Sequence, residues 1–212
     1  MKSESCIYVV DDDMAVLQSV KAVLSELNCE VFCYQTADQF LTEVTTDKPG
    51  CLITDLQMPG MSGLELHQRL VHTKSPLSVV VVTGIADVPT TVTVMRSGAV
   101  TLLEKPYEPA ELLRAAKEAL AMSQQRWQQE QSIQTVLQRL NLLTDEERQI
   151  MEAMLANKTN KAISQQLDIS MRTVDRRRSA ILEMMNVKSV SELAASLSRV
   201  LPESPTTDLN RE

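Results

Sequence analysis

Cys51-Leu-Ile-Thr-Asp55-Leu-Gln57-Met-Pro-Gly-Met-Ser-Gly63 joins a short apolar run, an acid at its end and a loop dense in turn residues. Leu64, Leu66, Leu70 and Val71 then recur at helical spacing over 64–73. A strand, a turn and an amphipathic helix in that order make half of a βαβ unit.

Three further runs end in equally polar groups. Cys6–Val10 leads into Asp11-Asp12-Asp13, Val79–Val82 ends at Thr83-Gly84, and Thr101–Leu103 passes through Glu104 to Lys105-Pro106. A fifth strand is expected at Glu30–Tyr34. Helices are expected over 14–27 with Asp13 as N-cap, 37–45, 88–96, and from Pro109 onward. The continuous apolar run at 79–82 is the mark of a strand buried on both faces. Alternating strands and helices predict an α/β fold, a doubly wound parallel five-stranded sheet. Right-handed crossovers and short connections favour the flavodoxin-like order 2-1-3-4-5. In that order the carboxyl ends of strands 1, 3, 4 and 5 share one crevice, where open α/β sheets bind ligands.

That crevice gathers phosphoryl chemistry. Acids at the ends of strands 1 and 3 are hard oxygen donors of the kind Mg²⁺ takes. With the metal offsetting their charge, one carboxylate can act as a nucleophile toward phosphorus. A hydroxyl and an ammonium at the neighbouring strand ends are placed to take phosphoryl oxygens.

The 212-residue chain is 43% hydrophobic and 23% charged. No apolar stretch approaches the ~20 residues that span a bilayer, so the protein is expected to be cytoplasmic and free of membrane partners. Cys6, Cys29, Cys33 and Cys51 lie in or beside apolar segments and read as reduced core thiols, not a metal site. The net charge of −7 is uneven: residues 1–121 hold 9 basic against 16 acidic residues, and residues 122–212 hold 12 of each. Seven basic residues between 157 and 188, against three acids, mark a second module with a different partner.

From Glu111 to about Asn141 no Pro or Gly interrupts helical character, so the fifth helix is expected to run into a helical or partly frayed linker. Thr144-Asp-Glu-Glu147 is a capping box ahead of Ile150, Met151, Met154 and Leu155. Asn157–Asn160 breaks the pattern. Helices over Lys161–Leu167 and Met171–Met185, with Ser170 as N-cap between them, form an all-α helix-turn-helix, and a last helix is expected over Ser191–Val200. Ile163, Leu167, Ile169, Val174, Ile181, Leu182 and Met185 are its expected core. The expected division is 1–122, a linker at 123–141, 142–201, and a tail at 202–212 disordered by composition.

Val-Val-Asp-Asp-Asp, Thr-Asp55-Leu-Gln-Met-Pro-Gly-Met-Ser-Gly, Val-Thr83-Gly84 and Glu-Lys105-Pro106-Tyr resemble the receiver domain of bacterial two-component response regulators over residues 5–122. Leu143-Thr-Asp-Glu-Glu-Arg-Gln-Ile150, Asn160-Lys-Ala-Ile163, Leu167-Asp-Ile-Ser170 and Arg172-Thr-Val174 resemble the LuxR-type helix-turn-helix of the NarL/FixJ family, FixJ subfamily. The resemblance implies Asp55 as phosphoacceptor, Asp12 as a direct Mg²⁺ ligand, Asp11 as a ligand through water, and Gln57 as a ligand by its backbone carbonyl. It also implies that Thr83 and Lys105 bind phosphoryl oxygens and that Lys105-Pro106 is cis. Its implied partners are a cognate sensor histidine kinase, double-stranded DNA in the major groove, and a second copy of the chain when phosphorylated. Met171–Met185 would be the recognition helix. Asp175, Arg176 and Ser179 would meet bases, with Arg172, Arg177, Arg178, Lys158 and Lys161 on phosphates.

Two departures stand out. Leu102 occupies the position where many receivers carry a Phe or Tyr, and Ile85 sets an apolar group near the path of attacking water, which would slow dephosphorylation. An orphan regulator independent of phosphorylation remains an alternative. So does an aspartyl-nucleophile phosphatase, although the residues after Asp11-Asp12-Asp13 lack the Thr of that class.

Overall fold

The computed structural model describes residues 5–200, so the tail at 202–212 lies outside the described residues. The chain divides into two compact units, Met1–Gln128 and Gln129–Glu212.

In the first unit, strands β1 (Cys6–Val10), β2 (Glu30–Tyr34), β3 (Gly50–Asp55), β4 (Ser78–Thr83) and β5 (Thr101–Glu104) form one parallel sheet in the order β2-β1-β3-β4-β5. Between them run α1 (Met14–Leu24), α2 (Ala37–Glu43), α3 (Gly63–His72) and α4 (Val88–Arg96), and α5 (Pro109–Leu142) follows β5. The expected doubly wound topology is the observed one.

Side-chain alternation along the strands builds two cores. Val79 and Val81 pack with Leu52, Phe40, Leu66, Leu70 and Val94, on the side of α2, α3 and α4. Val80 and Val82 pack with Ile7, Val9, Ile53, Leu17, Val20, Leu24, Leu112 and Ala116, on the side of α1 and α5. β3 and β4 are buried at every position, whereas β2 and β5 are edge strands with partly exposed residues. Each fully buried Leu or Val contributes about 1.5–3 kcal/mol, so these two layers fix the register of the strand ends.

α1 stops at Leu24, short of the expected 27, because the chain turns through Leu27 N–H to the Leu24 carbonyl at 3.0 Å. Leu27 still packs on the core, which is why its periodicity looked helical. α2 likewise ends at Glu43, before the expected 45. Asp13 caps α1 by accepting the Ala15 N–H.

At the amino ends of the strands, Ser123 of α5 is fully buried. Its hydroxyl accepts the Gly50 N–H at 2.8 Å and donates to the Pro76 carbonyl at 2.6 Å. Arg126 donates to the Ser78 hydroxyl. Helix α5 is thereby held against the sheet by polar contacts as well as by its alanine face.

The second unit contains α6 (Asp145–Leu155), α7 (Asn160–Leu167), α8 (Met171–Met185) and α9 (Val190–Leu197). Thr144 and Glu147 form the expected capping box, Ser170 caps α8, and Thr159 caps α7 one residue earlier than expected. α9 ends at Leu197, not Val200. Ile150, Met154, Ile163, Val174, Ile181, Met185 and Leu193 are its buried centre, with Leu167, Ile169 and Leu182 partly buried around them. Helix α5 is continuous through the segment expected to be linker, which contains no Pro or Gly to break it. Among the described residues no helix is long and apolar enough to cross a membrane.

Candidate functional site

Strand register levels the polar ends. Val10 pairs with Thr54, so Asp11 and Asp55 stand side by side, and Asp55 pairs with Val82, one residue before Thr83. Thr83 in turn pairs with Glu104, and the Lys105 N–H donates to the Thr83 carbonyl at 2.7 Å.

Lys105 closes the cluster. Its Nζ donates to Asp11 Oδ2 at 2.8 Å and to Asp55 Oδ1 at 2.8 Å. Both acids are buried, at 4% and 7% exposure, so their charges are compensated by this ammonium and not by bulk water. Burial works to lower the lysine's pKa, but the hydrogen bonds and charges of Asp11 and Asp55 outweigh it, and the net shift is upward. Burial also pushes the Tyr107 phenol up.

The remaining oxygens are engaged by backbone. Asp55 Oδ2 accepts the Gln57 N–H at 2.6 Å, and Asp11 Oδ1 accepts the Asp13 N–H at 2.9 Å. Thr83 is fully buried and bonds within its own loop: its hydroxyl donates to the Ile85 carbonyl at 3.1 Å and accepts the Ile85 N–H at 3.2 Å. The Lys105-Pro106 peptide is cis.

Asp11, Asp55 and Lys105 are therefore brought together, Thr83 adjoins them through the backbone, and Asp12 is exposed to one side. Among the described residues no three His, Cys, Asp or Glu side chains are gathered into a metal-holding cluster. The donor chemistry nonetheless fits a hard divalent ion. Two buried carboxylates already converge on one cation, the Lys105 ammonium, and a third, exposed carboxylate, Asp12, lies next in sequence.

One residue of this site carries no chemical signal in the sequence. A Cβ built on Gly63 would lie 2.0 Å from the Asp55 carbonyl oxygen and 2.9 Å from Thr54 Oγ1. Only glycine lets the first turn of α3 close against the strand that carries Asp55. The turn-rich loop announced a tight connection but not this contact. Gly84 faces open space, with nothing within 4 Å of a built Cβ, and Ile85 beside it is 60% exposed. Leu102 is half-buried and packs on the α2–α4 core.

In the second unit, α7, the turn at Asp168–Ser170 and α8 make the helix-turn-helix. Asp168 takes the left-handed conformation that ends α7, at φ 54°. Arg172, Asp175, Arg176 and Ser179 are exposed on one side of α8. Asp175 accepts from Asn160, Ser179 donates to the Asp175 carbonyl, and Lys158 donates to Gln166 at 2.8 Å. Lys161 is exposed. Arg177 and Arg178 are only half-exposed, and Arg177 is paired with Glu146 of α6.

Comparison with known proteins agrees with this architecture. Residues 7–117 match the family model described as the response regulator receiver domain, and residues 141–197 match that of bacterial regulatory proteins, luxR family. The chain is 35% identical to the transcriptional regulatory protein FixJ of Bradyrhizobium diazoefficiens, over 91% of this chain and 94% of that one. It is 32% identical to the response regulator protein TmoT of Ectopseudomonas mendocina, over 93% and 90%. Among solved structures, the response regulator StyR superposes with a TM-score of 0.85 at 32% identity, over 93% of this chain and all of that one. With a receiver sheet, a LuxR-type helix-turn-helix and relatives aligned along almost its whole length, the chain belongs to the FixJ-like response regulators of the NarL/FixJ family, phosphorylation-controlled transcription regulators.

Proposed function

We propose that Asp55 is the phosphoacceptor and that its phosphorylation controls DNA binding by α8. The observation that carries this is the convergence of Asp11 and Asp55 on Lys105 Nζ, each at 2.8 Å. Two carboxylates and one ammonium leave the pocket with a net charge of −1. A phosphoryl dianion approaching Asp55 meets that negative field, which a divalent cation relieves. Asp11, Asp12, Asp55 and the Gln57 carbonyl are the groups that would hold Mg²⁺, which supplies charge neutralisation and orientation of the phosphoryl oxygens.

The chain's own residues do the rest. Gln57 N–H and Lys105 fix the Asp55 carboxylate so that an oxygen can attack phosphorus as the bond to the donor's nitrogen or oxygen breaks. Lys105 then shifts from the aspartate oxygen to a phosphoryl oxygen. Thr83 gives up its bonds to Ile85 and donates to another, drawing the loop ahead of α4 inward. A cognate histidine kinase is the source of the phosphoryl group, and the rearranged α4–β5–α5 face favours a homodimer that binds duplex DNA in the cytoplasm. Residues 1–122 act as the receiver, 123–141 as the linker and 142–201 as the DNA-binding domain.

In the DNA-binding domain, exposed Arg176 is free to reach a guanine edge, with Asp175 and Ser179 beside it. Arg172, Arg178, Lys158 and Lys161 supply phosphate contacts, and Arg177 adds one only when its pair with Glu146 opens. A small phosphodonor with Mg²⁺ should tighten DNA binding, and Asp55→Asn should abolish the gain; equal binding by treated and untreated protein refutes the proposal. Leu102 favours a second reading, an orphan regulator, because it leaves no aromatic rotamer at that position to report the loop shift. Failure to bind beryllofluoride with Mg²⁺ would select that reading.

A further inference from the structure

The three consecutive arginines of α8 are not equivalent. Val174 and Ile181 are fully buried, and Arg177, three residues after one and four before the other, lies on the same helical stripe. Arg176 falls on the exposed side with Arg172 and Ser179. Arg177 is thus directed toward the body of its own domain, where its Nη1 meets Glu146 Oε2 at 2.5 Å.

Glu146 takes no part in the capping box of α6. The capping box there is made by Thr144 and Glu147, with the Glu147 carboxylate accepting the Thr144 N–H at 2.9 Å. Asp145, Glu146 and Glu147 form the acidic first turn, and Thr144 through Glu147 share one open pocket with Arg176, Arg177 and Ala180 of α8. The pair is partly exposed, at 27% for Arg177 and 40% for Glu146, so it is within reach of competing phosphate.

We propose that Glu146 is a positioning residue that withholds Arg177 from the DNA backbone and so sets the affinity and salt dependence of binding without touching DNA itself. The proposal rests on α8 being the recognition helix. A carboxylate and a DNA phosphate each offer a guanidinium a pair of anionic oxygens, so each excludes the other. Phosphate contacts carry no sequence information, so the brake acts alike on every DNA sequence.

The test uses the full-length protein, treated with a small phosphodonor and Mg²⁺, and a mixed-sequence DNA duplex titrated across salt concentrations. Releasing Arg177 in Glu146→Gln adds one phosphate contact, which steepens log K against log salt by about 0.9. Affinity should then fall about 3.5-fold more than in the unaltered protein between about 50 and about 200 mM salt. Asp145→Asn removes a neighbouring charge that Arg177 does not use and should leave the slope unchanged. The double variant Glu146→Gln with Arg177→Gln should return to the original slope. If Asp145→Asn steepens the slope as much, or the double variant keeps the gain, the effect is general charge relief and the proposal is overturned. Arg172→Ala separates the two levels. Weaker binding there with an unchanged Glu146→Gln overturns the brake alone; unchanged binding in both overturns the recognition helix and the brake together. Far-ultraviolet circular dichroism of each variant confirms that α6 and α8 are folded.

Discussion

Replacing Lys105 by Met keeps the volume of the side chain and removes its charge, leaving Asp11 and Asp55 facing each other. Each carboxylate oxygen lies 2.8 Å from Nζ, so the two oxygens are at most about 5.6 Å apart. At an effective dielectric of about 20, unit charges at that spacing repel by roughly 3 kcal/mol. The lysine side chain is 27% exposed, and water penetration trims the loss to about 2–3 kcal/mol. For a domain of this size that is a drop of roughly 10 °C in the receiver's unfolding transition. Differential scanning calorimetry of Lys105→Met measures it directly. Added Mg²⁺ should recover part of the loss, and more than it stabilises the unaltered protein, because it replaces the missing positive charge between the same two acids. A variant as stable as the parent, or one indifferent to Mg²⁺, would show that Lys105 does not offset the repulsion of Asp11 and Asp55.

Three further outcomes follow from the same structure. Gly63→Ala must push α3 away from the Asp55 carbonyl, since its Cβ would sit 2.0 Å from that oxygen. Urea denaturation should show a loss of about 1–3 kcal/mol, and autophosphorylation from a small donor should slow. Ser123→Ala orphans the buried Gly50 N–H and Pro76 carbonyl, and should cost about 1–3 kcal/mol in the same assay. His67 is buried, its Nε2–H donates to the Ser97 carbonyl at 2.9 Å, and its Nδ1 has no hydrogen-bond partner among the described residues. Burial lowers its pKa below 6.5, so just below pH 6.5 the unfolded chain binds a proton that the folded chain does not. Stability should therefore fall as pH drops from 6.5 toward the depressed folded value, and His67→Gln should flatten that part of a melting-temperature profile.

The strands were legible because each is a short apolar run bounded by turn residues, and their order follows from handedness and connection length. The site was legible in outline for the same reason: once the sheet is parallel, Asp11, Asp55, Thr83 and Lys105 have to meet at one edge. What stayed hidden depends on contacts between elements. Lys105 was read as a phosphoryl ligand, and nothing in its spacing shows that it first bridges two aspartates. Gly63 looked like one turn glycine among several, because its close approach to Asp55 is a property of the folded loop. Arg177 counted as one more basic residue in a run, and only the packing of α6 on α8 shows that Glu146 already holds it. Leu27 and Val200 misled in the opposite direction, since a residue beyond a helix end can continue the apolar period without being helical.

Whether the cluster at the strand ends is a phosphoacceptor site with Asp55 as nucleophile is tested most directly by peptide-level mass spectrometry of the intact protein after exposure to acetyl phosphate, with and without Mg²⁺. Borohydride reduction traps the acyl phosphate. A single adduct is expected, at Asp55, requiring Mg²⁺ and absent in Asp55→Asn. An adduct at another residue, or none under conditions where Mg²⁺ binds, would contradict it.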